Sequence, residues 1–198
     1  MHLIGLHGPA RAGKSTVARY LVEQYGFAEV SFAAPMYRGL ATMLGIDVGD
    51  LQSEALKDQP IAWLGNSTTH EPVTPRYLLQ TLGTEWGRDM VRKDLWLILL
   101  KRAIDRVSAM RPIAGVVVSD VRRDEEAELV LARGGELWGV RRMEIATAVR
   151  AHETEKPIST NYPSRGIVNA AGFPALHSRV DQLLDELEAR QAQPGQAA

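Results

Sequence analysis

The chain contains no cysteine, which excludes structural disulfides, thiolate-held metals and cysteine nucleophiles. That absence suits a reducing compartment, and the expected location is the cytoplasm of a bacterium or of a phage-infected host. A long hydrophobic run is also missing. The longest, Leu95–Leu100, falls far short of the ~20 apolar residues a membrane span needs, so no membrane is expected as a partner. No secretory leader is read, because residues 2–7 already have the pattern of a core strand. Net charge is almost nil: 23 Lys and Arg stand against 24 Asp and Glu, giving −1. A nucleic-acid polymer is therefore not an expected partner. His70, His152 and His177 are scattered and form no H-E-x-x-H pattern, which argues against zinc. There is no nucleophile elbow and no internal repeat. What remains, 198 residues of which 45% are hydrophobic and 24% charged, suits one soluble α/β domain over 1–190 with a full core. Gln191 to Ala198 reads as a disordered tail.

The most informative segment present is Gly8-Pro9-Ala10-Arg11-Ala12-Gly13-Lys14-Ser15, which fits the phosphate-loop pattern G-x-x-x-x-G-K-[ST]. An apolar strand precedes it over 2–7. A helix follows it, with Val17, Ala18, Leu21 and Val22 at helical spacing. A strand, a glycine-bearing turn and a helix N-terminus aim backbone N–H groups at an anion. Gly8, Arg11, Ala12, Gly13, Lys14, Ser15 and Thr16 are thus expected to bind the phosphates of ATP. Lys14 would reach the β- and γ-phosphates, and the Ser15 hydroxyl would face Mg²⁺.

The rest of the chain alternates strands and helices. Strands are expected near 2–7, 29–33, 114–119, 136–141 and 166–169. Helices are expected near 14–25, 35–44, 75–90, 95–109, 124–133 and 174–190. Alternation implies right-handed crossovers and a five-stranded parallel sheet covered on both faces, a three-layer arrangement. Residues 46–74 read as a mobile substrate-side insertion, and 142–165 as a lid-like polar segment.

Val116-Val117-Val118-Ser119-Asp120 is an apolar strand ending in a carboxylate, where a phosphate-loop protein places a second magnesium-organising acid. Asp120 would hold Mg²⁺ through water or orient Lys14. The competing reading, a helix cap, fits Asp124 better. Arg122, Arg141 and Arg142 end strands at the carboxyl edge, where ligands bind in such sheets. Planar guanidinium groups grip phosphate there. Arg123 and Arg150 read as solvated surface charges. In Thr74–Arg88, Thr74 and Pro75 open a helix. Arg76, Gln80 and Thr84 then recur every four residues on one face. An arginine and an amide on one face suit a phosphate and a base, although pattern alone also fits an ordinary amphipathic helix.

Taken in order, these segments resemble the bacteriophage-type deoxynucleoside monophosphate kinases, members of the P-loop kinases. The resemblance runs through Gly5–Ala18, Ser31–Met36, Thr74–Arg76, Leu79–Arg88, Ser119–Arg122 with Glu125 and Glu126, Gly134-Gly135, Val140–Arg142, His152–Glu155 and Ile167–Asn169. The Leu79–Arg88 and Asp120–Arg122 blocks are its most specific parts. Departures are Ser15 in place of a common aspartate, Thr154 in place of serine, and Asn169-Ala170-Ala171-Gly172 in place of Asn-Asp-Gly. The family implies a nucleoside monophosphate kinase-like fold and transfer of the ATP γ-phosphoryl group to a deoxynucleoside 5′-monophosphate. Arg76, Gln80, Thr84, Trp86 and Arg88 are the expected acceptor-binding residues, with a small-molecule deoxynucleotide substrate as the partner; a homodimer is left open. Lys14, Asp120, Arg122, Arg141 and Arg142 are the expected catalytic residues. A dephospho-CoA kinase or other small-metabolite kinase on the same scaffold is the nearest rival. Phe32-Ala33-Ala34-Pro35 stands where such enzymes tend to carry paired aspartates. A nucleotide-dependent switch is less favoured, because the base-reading N-K-x-D of GTPases is absent.

Overall fold

The computed structural model describes residues 1–53, 55–65, 72–110, 112–142, 158–159, 161–170 and 172–192. The chain divides into two units, Met1–Ser31 with Ile104–Ala198, and Phe32–Ala103.

The first unit is built on a five-stranded sheet of β1 (His2–His7), β2 (Ala28–Val30), β3 (Gly115–Val118), β4 (Glu136–Arg142) and β5 (Ser164–Asn169). Its order is β2-β3-β1-β4-β5, and every pairing is parallel. β3 is buried along its whole length, as a two-sided parallel strand must be. On one face, α1 (Lys14–Tyr25) and α7 (Phe173–Ala192) bury a core of Ile4, Leu6, Val117, Trp138 and Ile167 under Leu21, Leu176, Val180 and Leu183. Truncating one of these, Leu183→Ala for example, costs roughly 2–5 kcal/mol. Tyr20 and Tyr25 of α1 both donate their hydroxyls to Asp181 Oδ1 of α7, at 2.9 and 2.6 Å. The bond to Asp181 holds the Tyr25 phenol well above its ordinary pKa. Tyr20 also stacks on His177 with ring centroids 3.8 Å apart. The opposite face carries α6 (Asp124–Ala132). Gly5 lies beneath Val130 of that helix, where a Cβ would be 3.1 Å from its methyl group.

The second unit holds α2 (Ala34–Leu44), α3 (Val48–Gln52), α4 (Pro75–Thr81), a π-helix (Leu82–Val91) and the start of α5 (Leu95–Met110). Thr74 caps α4, its hydroxyl accepting from Tyr77 N at 3.1 Å, and Pro75 opens it.

The structure corrects several expectations. The helix expected over 75–90 changes winding at Leu82, and Arg92 N donates to Gly87 O, five residues back. The cause is Trp96. Its indole Nε1 donates to Gly83 O at 2.7 Å, and its ring fills the space over Gly87, where a Cβ would meet Cζ2 at 2.5 Å. The 46–74 stretch contains α3, capped by Asp47, whose Oδ1 accepts from Gly49 N at 2.7 Å. β2 stops at Val30, three residues short, because Ser31–Ala33 turn into α2. β5 begins two residues earlier than expected, at Ser164. Asp124 does not cap α6. Glu126 does so instead, its buried carboxylate accepting from Arg122 N at 2.8 Å and Arg123 N at 3.3 Å. Asp124 accepts from Ser159 N at 2.7 Å. Beside it, Tyr162 donates to Glu128, a bond that pushes the phenol up to about 12. Most of the lid-like 142–165 segment, with His152, lies outside the described residues. So do residues 66–71 of the insertion and 193–198 of the tail.

Candidate active site

All five strands are parallel, so their carboxyl ends share one edge of the sheet. The phosphate loop leaves that edge after His7 and runs into α1 at Lys14. Two glycines fix its path. Gly8 has φ 126°, and a Cβ on it would stand 2.1 Å from Val140 O of β4. Gly13 has φ 112°, and its Cβ would stand 2.9 Å from Asn169 Nδ2. Between them Arg11 takes a left-handed φ of 62°. Alternating backbone signs of this kind make a nest of N–H groups suited to an anion. Ala12 is fully buried beneath the loop, and its carbonyl accepts from Asn169 Nδ2 at 3.2 Å. Lys14 Nζ donates to Gly8 O and Pro9 O, both at 2.8 Å. The ammonium is thus held over the loop by the loop's own carbonyls. Ser15 and Arg11 are exposed, while Thr16 is half-buried.

Asp120 reaches the same edge. The turn after β3 is held on both sides, by Ser119 N donating to Val30 O at 3.1 Å and Val121 N donating to Leu6 O at 3.0 Å. Asp120 lies between those two bonds and is half-buried. Arg122 follows with its side chain exposed, and Arg141 and Arg142 end β4 opposite Val168 and Asn169, also exposed. The edge therefore gathers the loop, Asp120, Arg122, Arg141 and Arg142. Asn169, the last residue of the Ile167–Asn169 block, and His7, within the Gly5–Ala18 block, join them, although neither was assigned a role. The signal that could have found Asn169 was its place at the end of the fifth strand.

Arg76, Gln80, Thr84, Trp86 and Arg88 belong to the other unit. Arg76 and Gln80 share a face of α4. The Arg76 guanidinium makes a two-pronged pair with Asp58, at 2.5 and 3.2 Å. Thr84 lies past the change to π winding, so the expected stripe through Arg76, Gln80 and Thr84 does not continue. Trp86 is 46% exposed, a large aromatic surface left to solvent within the π-helix, and Arg88 is half-buried.

A parallel sheet of this order, with a glycine-framed loop between β1 and α1 and a lysine at the helix start, defines a phosphate-loop α/β protein. Residues 55–180 match the family model described as deoxynucleotide monophosphate kinase. The chain belongs to that family. It is 31% identical over 156 residues to an Acanthamoeba polyphaga mimivirus protein assigned as a deoxynucleotide monophosphate kinase, covering 74% of this chain and 77% of the relative. It is 25% identical over 181 residues to the deoxynucleoside-5′-monophosphate kinase of Escherichia phage T5, covering 65% and 71%. Among solved structures, TT1252 from Thermus thermophilus aligns with 94% of this chain and 97% of its own, at 15% identity and a TM-score of 0.45.

Proposed function

We propose that the chain is a cytoplasmic kinase that transfers the γ-phosphoryl group of ATP to the 5′-phosphate of a deoxynucleoside monophosphate. The family match over residues 55–180 carries the reading. It spans both the Arg76–Arg88 block and the Asp120–Arg122 turn, and it sits on a chain whose phosphate loop lies outside the matched residues.

Lys14 follows the charge on the transferring group, and the loop N–H groups hold the β-phosphate. The donors suited to Mg²⁺ are the Ser15 hydroxyl and the Asp120 carboxylate, hard oxygens both. Among the described residues no three His, Cys, Asp or Glu form a metal cluster. That fits Mg²⁺, which binds through one or two protein oxygens plus substrate phosphates rather than in an all-protein cage. When bound, Mg²⁺ neutralises charge developing on the phosphate oxygens. Arg122, Arg141 and Arg142 add cations around the moving group. The acceptor phosphate has its second pKa near ~6 and is largely a dianion at neutral pH. It needs placement rather than a general base. Arg76 and Arg88 supply cations for it, Gln80 an amide for the base, and Thr84 and Trp86 further contact surface.

The test is a coupled ADP-release assay across the deoxynucleotides, the ribonucleotides and dephospho-CoA. Turnover with one or more deoxynucleoside monophosphates is the expected result. Turnover confined to dephospho-CoA would move the chain to the rival kinase class.

A further inference from the structure

His7 ends β1 and immediately precedes Gly8. The phosphate chemistry above makes no use of it. Alternation along β1 puts Gly5 and His7 on the face that α6 covers, and the imidazole does not stay over its own strand. It crosses β4 at Gly139, its register partner, and its Nε2 lies 2.6 Å from Ser164 Oγ at the start of β5. The crossing requires glycine. A Cβ at 139 would stand 2.9 Å from Nε2, 3.0 Å from Cε1 and 3.3 Å from Ser164 Oγ. One side chain therefore ties three strands together, and the tie begins one residue before the phosphate loop.

Burial holds the His7 imidazole below its ordinary pKa, and the Lys14 ammonium adds to the effect. Lys14 is the neighbouring charge that acts on the ring. The other charged groups on the elements around the ring are Asp124, Glu125, Glu126 and Glu128 of α6, Arg141 of β4 and Arg165 of β5. The Ser164 hydroxyl suits either ring form, since it donates to a neutral Nε2 and accepts from a protonated one. The hydrogen bond survives a change of protonation.

We propose that His7 is a positioning residue whose proton affinity follows the occupancy of the phosphate loop, rising when the polyphosphate of a nucleoside triphosphate lies on Lys14. The inference rests on the reading given under Proposed function and deepens it. A bound polyphosphate outweighs the ammonium and reverses the sign of the field at the ring. The proton comes from solvent, and no covalent bond is made or broken. A protonated ring then donates a charge-assisted bond to Ser164, which tightens the link from β1 to β5 at the residue before the loop. By linkage, triphosphate binding strengthens as pH falls through the titration of the ring.

The test is proton NMR of the histidine ring C–H signals across about pH 5 to 8, the range where imidazole titrates. His7 is assigned by His7→Gln, and the titration is run on the full chain with and without saturating ATP. The expected midpoint for His7 lies below that of ordinary imidazole in the empty protein. With ATP it rises by on the order of one pH unit, the scale on which a nearby opposite charge acts. Gly139→Ala and Ser164→Ala change no titratable group but displace or release the ring, and each shrinks the ATP-induced shift. A His7 midpoint that ATP leaves unmoved, in protein whose Gly8 and Gly13 amides report ATP binding, overturns this inference and leaves the kinase reading standing. Failure of those amides to respond to ATP overturns both.

Discussion

At Gly8 the chain has no latitude. Its φ of 126° disfavours any side chain, and the space a Cβ would enter is occupied by Val140 O. Gly8→Ala combines backbone strain of ~1–3 kcal/mol with a clash of similar size. We expect thermal unfolding to show a loss of at least ~2 kcal/mol and ATP binding to fall with it. Lys14→Ala is the opposite case, because the lysine side chain reaches out to exposed and half-exposed loop carbonyls. Its fold should persist while turnover falls by about 10²–10³-fold, the scale of losing one preorganised donor. Circular dichroism beside steady-state kinetics separates the two outcomes. Asp120→Asn keeps the shape of the side chain and removes its charge. Turnover measured against Mg²⁺ concentration should shift to higher Mg²⁺ while ATP affinity changes little. A wild-type curve would reduce Asp120 to a structural role.

The elements divide into those that local pattern could specify and those that a distant side chain decided. The parallel strands and α1, α2, α5, α6 and α7 fall within a few residues of where periodicity and turn residues put them, because the hydrophobic face of each is also its local signal. The π-helix was not legible. Arg76, Gln80 and Thr84 read as a continuous α-helical stripe, and nothing within 75–90 announces that an indole at position 96 bonds Gly83 O and fills the space over Gly87. Those glycines look like weak helix positions until Trp96 is in place. Gly87→Ala should therefore act as an overpacking change of roughly 1–3 kcal/mol. It should also disturb the acceptor side more than the nucleotide side, raising the Michaelis constant for the deoxynucleotide and sparing ATP affinity by calorimetry. An unchanged acceptor constant would detach the π-helix from acceptor binding.

Across the whole molecule, the edge carrying the phosphate loop was legible because a motif of fixed spacing announces it. The side chains that brace it were not. Asn169 Nδ2 reaches Ala12 O from β5, and His7 reaches Ser164 across β4, contacts that a single sequence does not display. The acceptor-side assignment extends the motif reading to the other unit. Arg76→Ala and Arg88→Ala should raise the acceptor Michaelis constant or lower turnover by roughly ten- to a hundredfold, the cost of a charge-assisted phosphate contact of ~1.5–3 kcal/mol. ATP affinity should stay nearly constant. Arg76 must first leave Asp58, so Asp58→Asn should tighten acceptor binding. The pH dependence of stability follows from His7. Its pKa in the folded, empty protein lies below the ordinary 6.5, so the unfolded chain binds the proton more readily. The stability this represents is complete above pH 6.5 and is lost as pH falls from there through the folded value. His7→Gln should flatten that part of the melting-temperature profile relative to wild type. Parallel profiles in the two proteins would show that the ring titrates alike in both states.

The winding of residues 82–91 has a consequence for descent and for engineering. A π turn holds one residue more than an α turn, and α-helices readily acquire one by insertion. The angle about the axis between Gln80 and Arg88 is therefore set by a residue count and not only by which residues are present. A relative lacking a single residue in this stretch could keep every side chain named here and still aim Arg88 at a different side of the axis. With Arg88 in the acceptor-side role proposed above, chain length, ordinarily the property that alignments discard as a gap, would become at this place a determinant of which acceptor fits.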